Sequence, residues 1–205
     1  MGKLSRREQN KQDKLLRIKI ATGQLFNEQG FEAATTRKIA ERAGVGLATL
    51  FLYATDKRDL LFLVCNDDLN KLAHDAFNGI PSDAKLIDQL TIAFRHFFIY
   101  YAKNRRLSQD LLRELTFYNT GMNSERFHEI RQINIDHIRQ LIINAKQSRL
   151  INTLSDENTI AQMIFYLLAA ELRRWLSVKD STPETGVQEL RSMLNTLITG
   201  LNPSK

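Results

Sequence analysis

The stretch that decides the fold of this chain runs from Thr35 to Leu61 and reads TTRKIAERAGVGLATLFLYATDKRDLL. Three apolar residues, Ile39, Ala40 and Ala43, follow the spacing of one face of an α-helix. Either of the two threonines that open the stretch can cap the start of this helix with its hydroxyl group. Gly44 ends the helix, because glycine readily adopts the left-handed conformation that a tight turn between crossed helices requires.

A second short helix follows this turn. We expect it to span residues 47–53, with Leu50 and Phe51 directed to the core, as Val45 is just before it. Two short helices crossed around one tight turn form a helix-turn-helix, the unit that places its second helix in the major groove of DNA. Small residues let the two helices approach each other and a groove wall closely: Ala40, Ala43, Gly46 and Ala48.

Basic residues are concentrated before this unit. Of the chain's net charge of +6, residues 1–24 carry +5, from seven basic and two acidic side chains. The basic residues are Lys3, Arg6, Arg7, Lys11, Lys14, Arg17 and Lys19. A basic surface beside a helix-turn-helix is the electrostatic signature of phosphate binding. Residues 1–10 are expected to form a disordered, solvated tail that can also touch DNA.

In these residues the chain resembles the tetracycline-repressor (TetR) family of transcriptional regulators. The resemblance lies in TTRKIA, in AGV followed by TLF, in DKRDLL and in the preceding segment LFNEQGFEAAT. It covers residues 15–62, and the rest of the chain matches in helical architecture alone. A generic helix-turn-helix would leave the Asp56-Lys57-Arg58 start of the next helix unexplained. The resemblance implies a homodimeric repressor that binds double-stranded DNA and carries a helical effector-binding domain.

The resemblance also implies roles for individual residues. Thr36 and Lys57 are expected to contact phosphates, and Arg37 is expected to point into the major groove. There Arg37 can pair with a guanine edge through two hydrogen bonds, which is the commonest specific base contact. Thr49 and Tyr53 are expected to support the second helix or to touch the DNA backbone.

The second helix departs from the family's usual pattern. Many members have polar or basic residues where this chain has Gly46, Leu47 and Leu52, so we expect few hydrogen bonds from this helix to the bases. Leu47 and Ala48 are expected to meet thymine methyl groups instead. The predicted DNA-contacting residues are Thr36, Arg37, Gly46, Leu47, Ala48, Thr49, Tyr53 and Lys57.

The whole chain is predicted to be all-α. It contains only nine glycines and three prolines, and no stretch alternates apolar and polar residues for long. We expect a nine-helix, two-domain TetR-like fold, with DNA binding at 1–55, effector binding and dimerisation at 56–205, and the fourth helix joining the two. The predicted helices are 11–29, 35–43, 47–53, 56–77, 84–103, 107–118, 124–148, 155–175 and 182–201.

The ninth helix carries a regular apolar seam. Its start, Thr182-Pro183-Glu184, combines a cap, a proline at the first position and an acid near the positive end of the helix dipole. Apolar residues then recur by steps of three and four, the spacing of a helix-packing seam. Because a two-fold DNA site requires a two-fold protein, we expect helices eight and nine to form a homodimer interface. Its predicted residues are Ile164, Trp175, Val187, Leu190, Leu194, Leu197 and Leu201.

The second domain is rich in aromatic residues. Aromatic stripes at helical spacing are typical of plain core as well as of ligand pockets. Their number, the histidines His96 and His137 at or beside apolar faces, and the family's habit of binding effectors between these helices favour a pocket. Apolar walls with few polar groups predict a mainly apolar or aromatic small molecule. The predicted lining residues are Phe94, Phe97, Phe98, Phe117, His137, Phe165 and Tyr166.

The sequence lacks catalytic and metal-binding patterns. Glu125 and His128 form one Glu-x-x-His pair, whereas di-iron bundles need two such pairs and two further glutamates. Four scattered histidines and one cysteine, Cys65, offer no zinc-binding set. The sequence contains no phosphate-binding loop, dinucleotide-binding fingerprint or hydrolase nucleophile motif. We therefore expect neither an enzyme nor a cofactor or bound metal.

The chain is expected to be cytoplasmic and free of membrane segments. Its longest uncharged stretch, 158–170, is shorter than the roughly 20 residues that a membrane-spanning helix needs. A single cysteine cannot form a disulfide within one chain, which suits a reducing compartment.

The sequence therefore predicts a homodimeric repressor that leaves its palindromic operator when a small molecule favours another arrangement of the dimer. One alternative is a ligand-independent regulator or activator whose aromatic cluster is only core. Another is a helical enzyme or small-molecule carrier, which operator-specific binding would distinguish from a regulator.

Overall fold

The computed structural model of the chain describes residues 5–114, 118, 120–151, 153 and 155–200. Across these residues all regular structure is α-helical, which confirms the predicted all-α fold. The helices are α1 Arg6–Ala33, α2 Thr36–Ala43, α3 Leu47–Leu50, α4 Lys57–Asp75, α5 Leu86–Ala102, α6 Arg105–Glu114, α7 Ser124–Gln147, α8 Glu157–Ser177 and α9 Pro183–Gly200. Most helix ends lie within a few residues of the prediction; α8 is capped by Asp156 rather than Ser155.

The chain divides into two compact units. The first contains the described parts of residues 1–68 and 106–128, and the second those of 69–105 and 129–205. The first unit is larger than the predicted segment 1–55, because it also includes the first part of α4 and the segment from α6 to the start of α7.

Helix α1 begins earlier than predicted. Ser5 caps it, since its hydroxyl accepts a hydrogen bond from the Glu8 amide at 3.3 Å while the Glu8 carboxylate accepts one from the Ser5 amide at 2.9 Å. This reciprocal capping box satisfies two of the amide donors that a helix start leaves open. The expectation of a disordered tail is therefore wrong for residues 6–10, which are helical although exposed.

The core of the first unit forms where α1 packs against α2 and α2 against α3. Apolar side chains of these three helices meet there and exclude water. The buried residues include Ile18, Leu25, Phe26, Ile39 and Leu50.

Helix α3 is shorter than predicted, and Phe51, the residue after it, is exposed. The helix ends at Leu50, and the chain then tightens into a turn with hydrogen bonds from Leu52 N to Thr49 O, 3.2 Å, and from Tyr53 N to Leu50 O, 3.0 Å. Leu50 is fully buried as expected, but Phe51 is exposed, so its assignment to the core is wrong.

In the second unit α9 packs against α5 and α8. Gly186 permits this approach, because a Cβ atom at that position would lie 2.4 Å from the Phe98 ring and 2.9 Å from Trp175. Phe98 and Trp175 meet edge to face with ring centroids 5.2 Å apart, and both are fully buried. The Trp175 indole donates a hydrogen bond to the Thr182 carbonyl at 2.7 Å.

Within the single chain, this packing covers part of the predicted dimer interface. The seam of α9 is covered by α5 and α8 of its own chain, so Leu190 and Leu194 have almost no exposed surface. Ile164 and Trp175 are likewise buried within the single chain. Val187 and Leu197 remain partly exposed. The last predicted residue, Leu201, lies outside the described residues.

Candidate nucleic-acid interface

The helix-turn-helix adopts the predicted local geometry. The Thr35 hydroxyl caps α2 by accepting a hydrogen bond from the Lys38 amide at 3.3 Å. Gly44 takes the left-handed conformation, with φ 63° and ψ 41°, and its amide donates to the Glu41 carbonyl at 3.1 Å. The next amide, of Val45, donates to the Ala40 carbonyl at 3.0 Å. These bonds satisfy the carbonyls at the end of α2 and turn the chain into α3.

The predicted contact residues of α3 lie largely at the surface. Gly46, Leu47 and Ala48 are exposed, and Thr49 is half-buried. A Cβ atom on Gly46 would meet nothing closer than the Thr49 hydroxyl, at 3.9 Å. The side of α3 that begins at Gly46 is therefore free to approach another molecule.

Arg37 is the cation that α2 leaves free. It is exposed and has no ion pair or hydrogen bond among the described residues. Lys38, by contrast, donates to the Gln29 side chain at 3.1 Å, and Arg42 pairs with Glu28 at 2.6 Å. Thr36, next to Arg37, is half-buried. The geometry thus agrees with the role that the family resemblance implies for Arg37.

Basic residues of α1 share one face of the helix. At about 100° per residue, the five basic residues from 6 to 17 fall within a sector of about 140°. Further along α1, the core residues Ile18 and Leu25 fall in the same sector. This is a side of α1 that is buried further along the helix. The five residues are Arg6, Arg7, Lys11, Lys14 and Arg17.

Two contacts connect this basic face with the helix-turn-helix. The Tyr53 hydroxyl donates to the Lys11 carbonyl at 3.3 Å, which ties the end of the α3 turn to the exposed part of α1. The Arg17 guanidinium lies against the turn, since a Cβ atom on Gly44 would be 3.2 Å from it. Lys19, outside the basic face, forms an ion pair with Asp67. The face formed by residues 6–17 therefore continues the surface around α3.

Lys57 is held at the start of α4. Its ammonium group donates to the Glu32 carbonyl at 3.1 Å and lies 4.5 Å from the centroid of the Phe31 ring. A cavity of about 310 Å³ adjoins it, lined by Phe31, Glu32, Asp56, Lys57, Arg58 and Glu114. An ammonium group has three N–H donors, so two remain for a phosphate group.

The sequence analysis did not identify Asp59, whose carboxylate binds several segments next to the helix-turn-helix. The buried Asp59 carboxylate accepts hydrogen bonds from the amides of Thr55 at 2.8 Å, Met122 at 2.9 Å and Asn123 at 2.8 Å. The Asn123 side chain in turn donates to the Tyr53 carbonyl at 3.0 Å. The segment before α7 is thereby fastened to the end of the helix-turn-helix. The second aspartate of DKRDLL was the available signal, but two of its partners, Met122 and Asn123, lie more than 60 residues away.

Side chains of helix α6 stabilise a kink in α1. Gly30 interrupts α1 with φ 80° and ψ 167°, a conformation that essentially only glycine adopts. Arg106 donates to the carbonyl of Gln29 at 3.0 Å, and Asp110 accepts a hydrogen bond from the amide of Phe31 at 3.3 Å. Side chains of α6 therefore satisfy backbone groups on both sides of the kink. The sequence marked Gly30 as a helix end but did not identify these partners.

The predicted effector residues do not form one cluster. Phe94 meets Phe97 and Phe77, with ring centroids 6.1 and 6.4 Å apart, and Phe77 stacks on His137 at 4.9 Å. The structure therefore brings Phe94, Phe97 and His137 together through Phe77, which the prediction had omitted. Phe98 packs against Trp175 instead.

The other predicted effector residues lie elsewhere in the second unit. Phe165 and Tyr166 lie beside Arg131, whose guanidinium is 5.9 and 5.4 Å from their ring centroids. Arg131 also donates to the exposed Tyr166 hydroxyl at 2.8 Å. His96 is exposed on α5. Phe117 lies outside the described residues.

Two buried polar atoms on α7 accompany the cluster around Phe77. The Nε2 atom of His137 and the Oδ1 atom of Asn134, one turn away, have no hydrogen-bond partner among the described residues. Burial lowers the pKa of His137 from its ordinary value, and the nearby His74 ring lowers it further. His137 therefore favours its neutral form, in which one ring nitrogen donates and the other accepts a hydrogen bond.

Three further observations concern metal ions, membranes and the single thiol. In the part of the chain that the structure describes, no three histidine, cysteine, aspartate or glutamate side chains group as metal ligands would. None of the described helices combines the length and apolarity needed to cross a membrane. Cys65 is buried, and burial raises the pKa of its thiol to about 12, so the reactive thiolate form is suppressed.

Comparison with known proteins gives relatives of one kind. Residues 21–64 match the model of the family described as bacterial regulatory proteins, tetR family. The fatty acid metabolism regulator protein of Bacillus subtilis is 23% identical over 192 residues, which cover 94% of this chain and 97% of that protein. A helix-turn-helix-type transcriptional regulator of Staphylococcus aureus is 41% identical over 54 residues, 26% of this chain and 29% of that protein.

Solved structures share the fold. The Thermus thermophilus FadR repressor in complex with lauroyl-CoA superposes with a TM-score of 0.74 at 19% identity, covering 93% of this chain and 96% of that one. The Bacillus subtilis regulator FadR in complex with stearoyl-CoA superposes with a TM-score of 0.70 at 22% identity, covering 91% of this chain and 99% of that one. At these identities the likeness establishes the architecture.

Proposed function

Because the chain belongs to the tetR family of bacterial regulatory proteins, we propose that it is a homodimeric repressor that a fatty acyl-CoA releases from a two-fold-symmetric operator. The family consists of transcriptional regulators and not of enzymes. The cytoplasm, where DNA and acyl-CoA are both present, is the compartment in which this function is proposed.

One observation carries the DNA-binding part of the proposal. The exposed side of α3 and the free cation Arg37 share a surface with the basic face of α1, to which Tyr53 and Arg17 connect it. Cations around a protruding helix supply the phosphate contacts that position a recognition helix in the major groove. DNA binding through residues 36, 37, 46–49, 53 and 57 is proposed on this basis.

The homodimer is proposed from the symmetry of such operators and from an uncovered face of α8. Two half-sites in successive major grooves require two recognition helices related by a two-fold axis. TetR regulators act as dimers. Exposed apolar side chains on α8, Met163 and Tyr166, offer a surface that a second copy can cover. Partly exposed Val187 and Leu197 on α9 are the predicted seam residues that remain available.

An acyl-CoA effector is proposed from the names of the full-length relatives. The B. subtilis relative is a fatty acid metabolism regulator, and two proteins of the same fold were solved with lauroyl-CoA and stearoyl-CoA. In this proposal, the acyl chain is the apolar part of the effector that the sequence predicts. The charged CoA group would have to remain near solvent or cations, because burial of unpaired charge is costly.

The cluster of Phe77, Phe94, Phe97 and His137 is the proposed contact region for this effector. Its aromatic rings supply apolar surface. In the tautomer that is protonated at Nε2, His137 can donate a hydrogen bond to the thioester carbonyl, whereas the unpartnered Oδ1 of Asn134 can accept one from an N–H or O–H group. In mechanism, the effector binds one dimer arrangement more tightly than the other, and the affinity for the operator falls by linkage.

The test is release from DNA. An operator is first selected from random duplexes with the full-length chain, and its affinity is then measured with lauroyl-CoA, with CoA alone and with laurate. Lauroyl-CoA should weaken operator binding by about 5- to 150-fold, the usual range of allosteric coupling, while CoA alone should not. His137→Ala should reduce the effect, whereas His96→Ala, an exposed histidine on α5, should not.

The same measurement distinguishes this proposal from the alternative, a ligand-independent regulator. Complete burial of Phe98 against Trp175 favours a structural role for this ring. If acyl-CoA thioesters of several chain lengths leave operator affinity unchanged, the acyl-CoA proposal is wrong.

A further inference from the structure

The exposed side of α3 and of the turn that follows it consists of hydrocarbon. Leu47 and Phe51 are each 39% exposed, Leu52 is 74% exposed, and Ala48 is exposed as well. On a soluble protein such a run of uncovered apolar side chains marks a contact surface. We refer to these four residues as the α3 apolar surface.

This surface presents no hydrogen-bonding side chain. All four of its members are exposed, whereas Tyr53 is half-buried and its hydroxyl is directed to Lys11 of α1. Leu50 is fully buried, and the Thr49 hydroxyl belongs to a half-buried side chain. Gly46 adds no side chain at all. Direct base reading by hydrogen bonds from α3 is therefore confined to Thr49 and the backbone.

The surroundings of the α3 apolar surface identify its partner as a polyanion. Arg37 on α2 is exposed and unpaired, and the Arg17 guanidinium lies against the turn at Gly44. The Tyr53 hydroxyl ties the end of the α3 turn to α1 at Lys11, within the basic face. An apolar protein partner would leave these cations uncompensated, whereas the phosphates that flank a major groove neutralise them.

We propose that α3 selects the operator through the 5-methyl groups of thymine, with Leu47, Phe51 and Leu52 as the reading residues. This inference rests on the proposed function. The thymine methyl is the apolar group that a base pair displays in the major groove, and apolar side chains discriminate it from cytosine and purines. Each half-site then carries thymines where it faces α3, and a 5-methylcytosine is preferred to cytosine at those positions. Arg37 supplies the hydrogen-bonded reading beside them.

The test removes methyl groups from the DNA without changing its base pairing. In the operator selected with the full-length chain, each thymine is replaced in turn by deoxyuridine, and the affinity is measured by fluorescence anisotropy. Burial of one methyl group corresponds to a factor of about four in affinity, so at least two positions per half-site should lose about that factor.

Protein variants connect the methyl groups with individual side chains. Leu47→Ala and Leu52→Ala should each abolish the thymine-over-uracil preference at one position while leaving it at others. Leu16→Ala is the matched control, because Leu16, whose exposed fraction of 57% lies between those of Leu47 and Leu52, is on α1 away from the basic face. It should leave every preference unchanged. Since all these side chains are exposed, the variants should retain the circular dichroism spectrum and melting temperature of the parent.

Two results would overturn the inference, and they are distinguishable from failure of the proposed function. Specific operator binding with equal affinity for thymine and deoxyuridine at every position would refute methyl reading while leaving the regulator intact. Loss of the preference in Leu16→Ala as well as in Leu47→Ala would assign it to a general effect. Absence of any specific duplex would instead remove the proposed function itself.

Discussion

Arg37 and Lys57 show how neighbouring cations acquire different roles from their surroundings. Arg37 is exposed and has no partner among the residues that the structure describes, while Lys57 is held by the Glu32 carbonyl and the Phe31 ring. A guanidinium group can bond a guanine edge through two hydrogen bonds, whereas an ammonium group acts as a point charge toward phosphate. The structure therefore supports a division between base reading and backbone positioning.

The two cations should respond differently to substitution. Arg37→Ala should cost about 1–3 kcal/mol of operator binding and relax the preference at one base pair. Lys57→Ala should weaken all duplexes alike and make the dependence of affinity on salt shallower by about one phosphate. Titrations against cognate and scrambled duplexes over a range of salt concentrations measure both effects. A uniform loss in Arg37→Ala would contradict its proposed role as a base reader.

His137 should make the protein less stable in acid. Its pKa is lowered by burial and by His74, so the folded chain holds the proton less tightly than the unfolded chain, whose histidine titrates near 6.5. The unfolded state therefore binds more protons as the pH falls through 6.5, and the free energy of unfolding decreases until the pH lies below the folded-state pKa. Thermal melts between pH 7.5 and pH 5 should show a smaller loss for His137→Phe than for the parent. An equal loss would show that His137 is not the group responsible.

At the scale of elements, the kink in α1 is a joint between α1 and α6. Glycine is required at position 30 for two reasons. Its backbone has a positive φ, and Arg106 approaches so closely that its Nη2 would be 2.2 Å from a Cβ atom there. Gly79 offers a comparison, since it also has a positive φ, of 72°, but a Cβ atom would meet nothing within 4 Å.

Substitution of these two glycines should separate strain from contact. Gly79→Ala should lower the free energy of unfolding by about 1–3 kcal/mol through backbone strain alone. Gly30→Ala should cost more, because it also displaces Arg106 from the Gln29 carbonyl. In the Gly30→Ala background a further Arg106→Ala change should then have little effect, which a double-mutant cycle by chemical denaturation measures. Fully additive losses would mean that the two residues act independently.

Local sequence patterns predicted the helices well because the caps that begin and end a helix act within a few residues. The caps at Thr35 and Gly44 act within a few residues, and both are found where the sequence placed them. The partners of Asp59, Gly30 and Phe77 come from distant segments, and no spacing rule reveals them. Phe51 was misplaced for a simpler reason: consecutive residues of a helix point about 100° apart, so Leu50 faces the core and Phe51 does not.

The residues of the candidate site likewise include some that a local motif predicts and others that only tertiary packing identifies. The cation Arg37 and the small residue Gly46 could be proposed from the motif, and their exposure agrees with that proposal. The predicted effector residues were chosen by residue type, so Phe98, which packs against Trp175, could not be distinguished from Phe94, which lies beside Phe77. Only tertiary packing separates them.

At the scale of the whole molecule, the α9 seam stabilises the single chain. Leu194 is fully buried between helices of its own unit, so Leu194→Glu should lower stability by about 4 kcal/mol or more, since it buries an unpaired charge. Met163→Glu, on the exposed face of α8, should keep the helical content of the parent but sediment as a monomer. Analytical ultracentrifugation with circular dichroism measures both. A folded Met163→Glu dimer would place the interface elsewhere.

The central claim, that this chain is a sequence-specific DNA-binding regulator, is tested most directly by the ratio of two affinities. The full-length chain is titrated by fluorescence anisotropy against its selected palindromic duplex and against a scrambled duplex of the same composition, at one physiological salt concentration. The account predicts binding to the palindrome at least about 10³-fold tighter than to the scrambled duplex. Equal affinity for the two duplexes would contradict it.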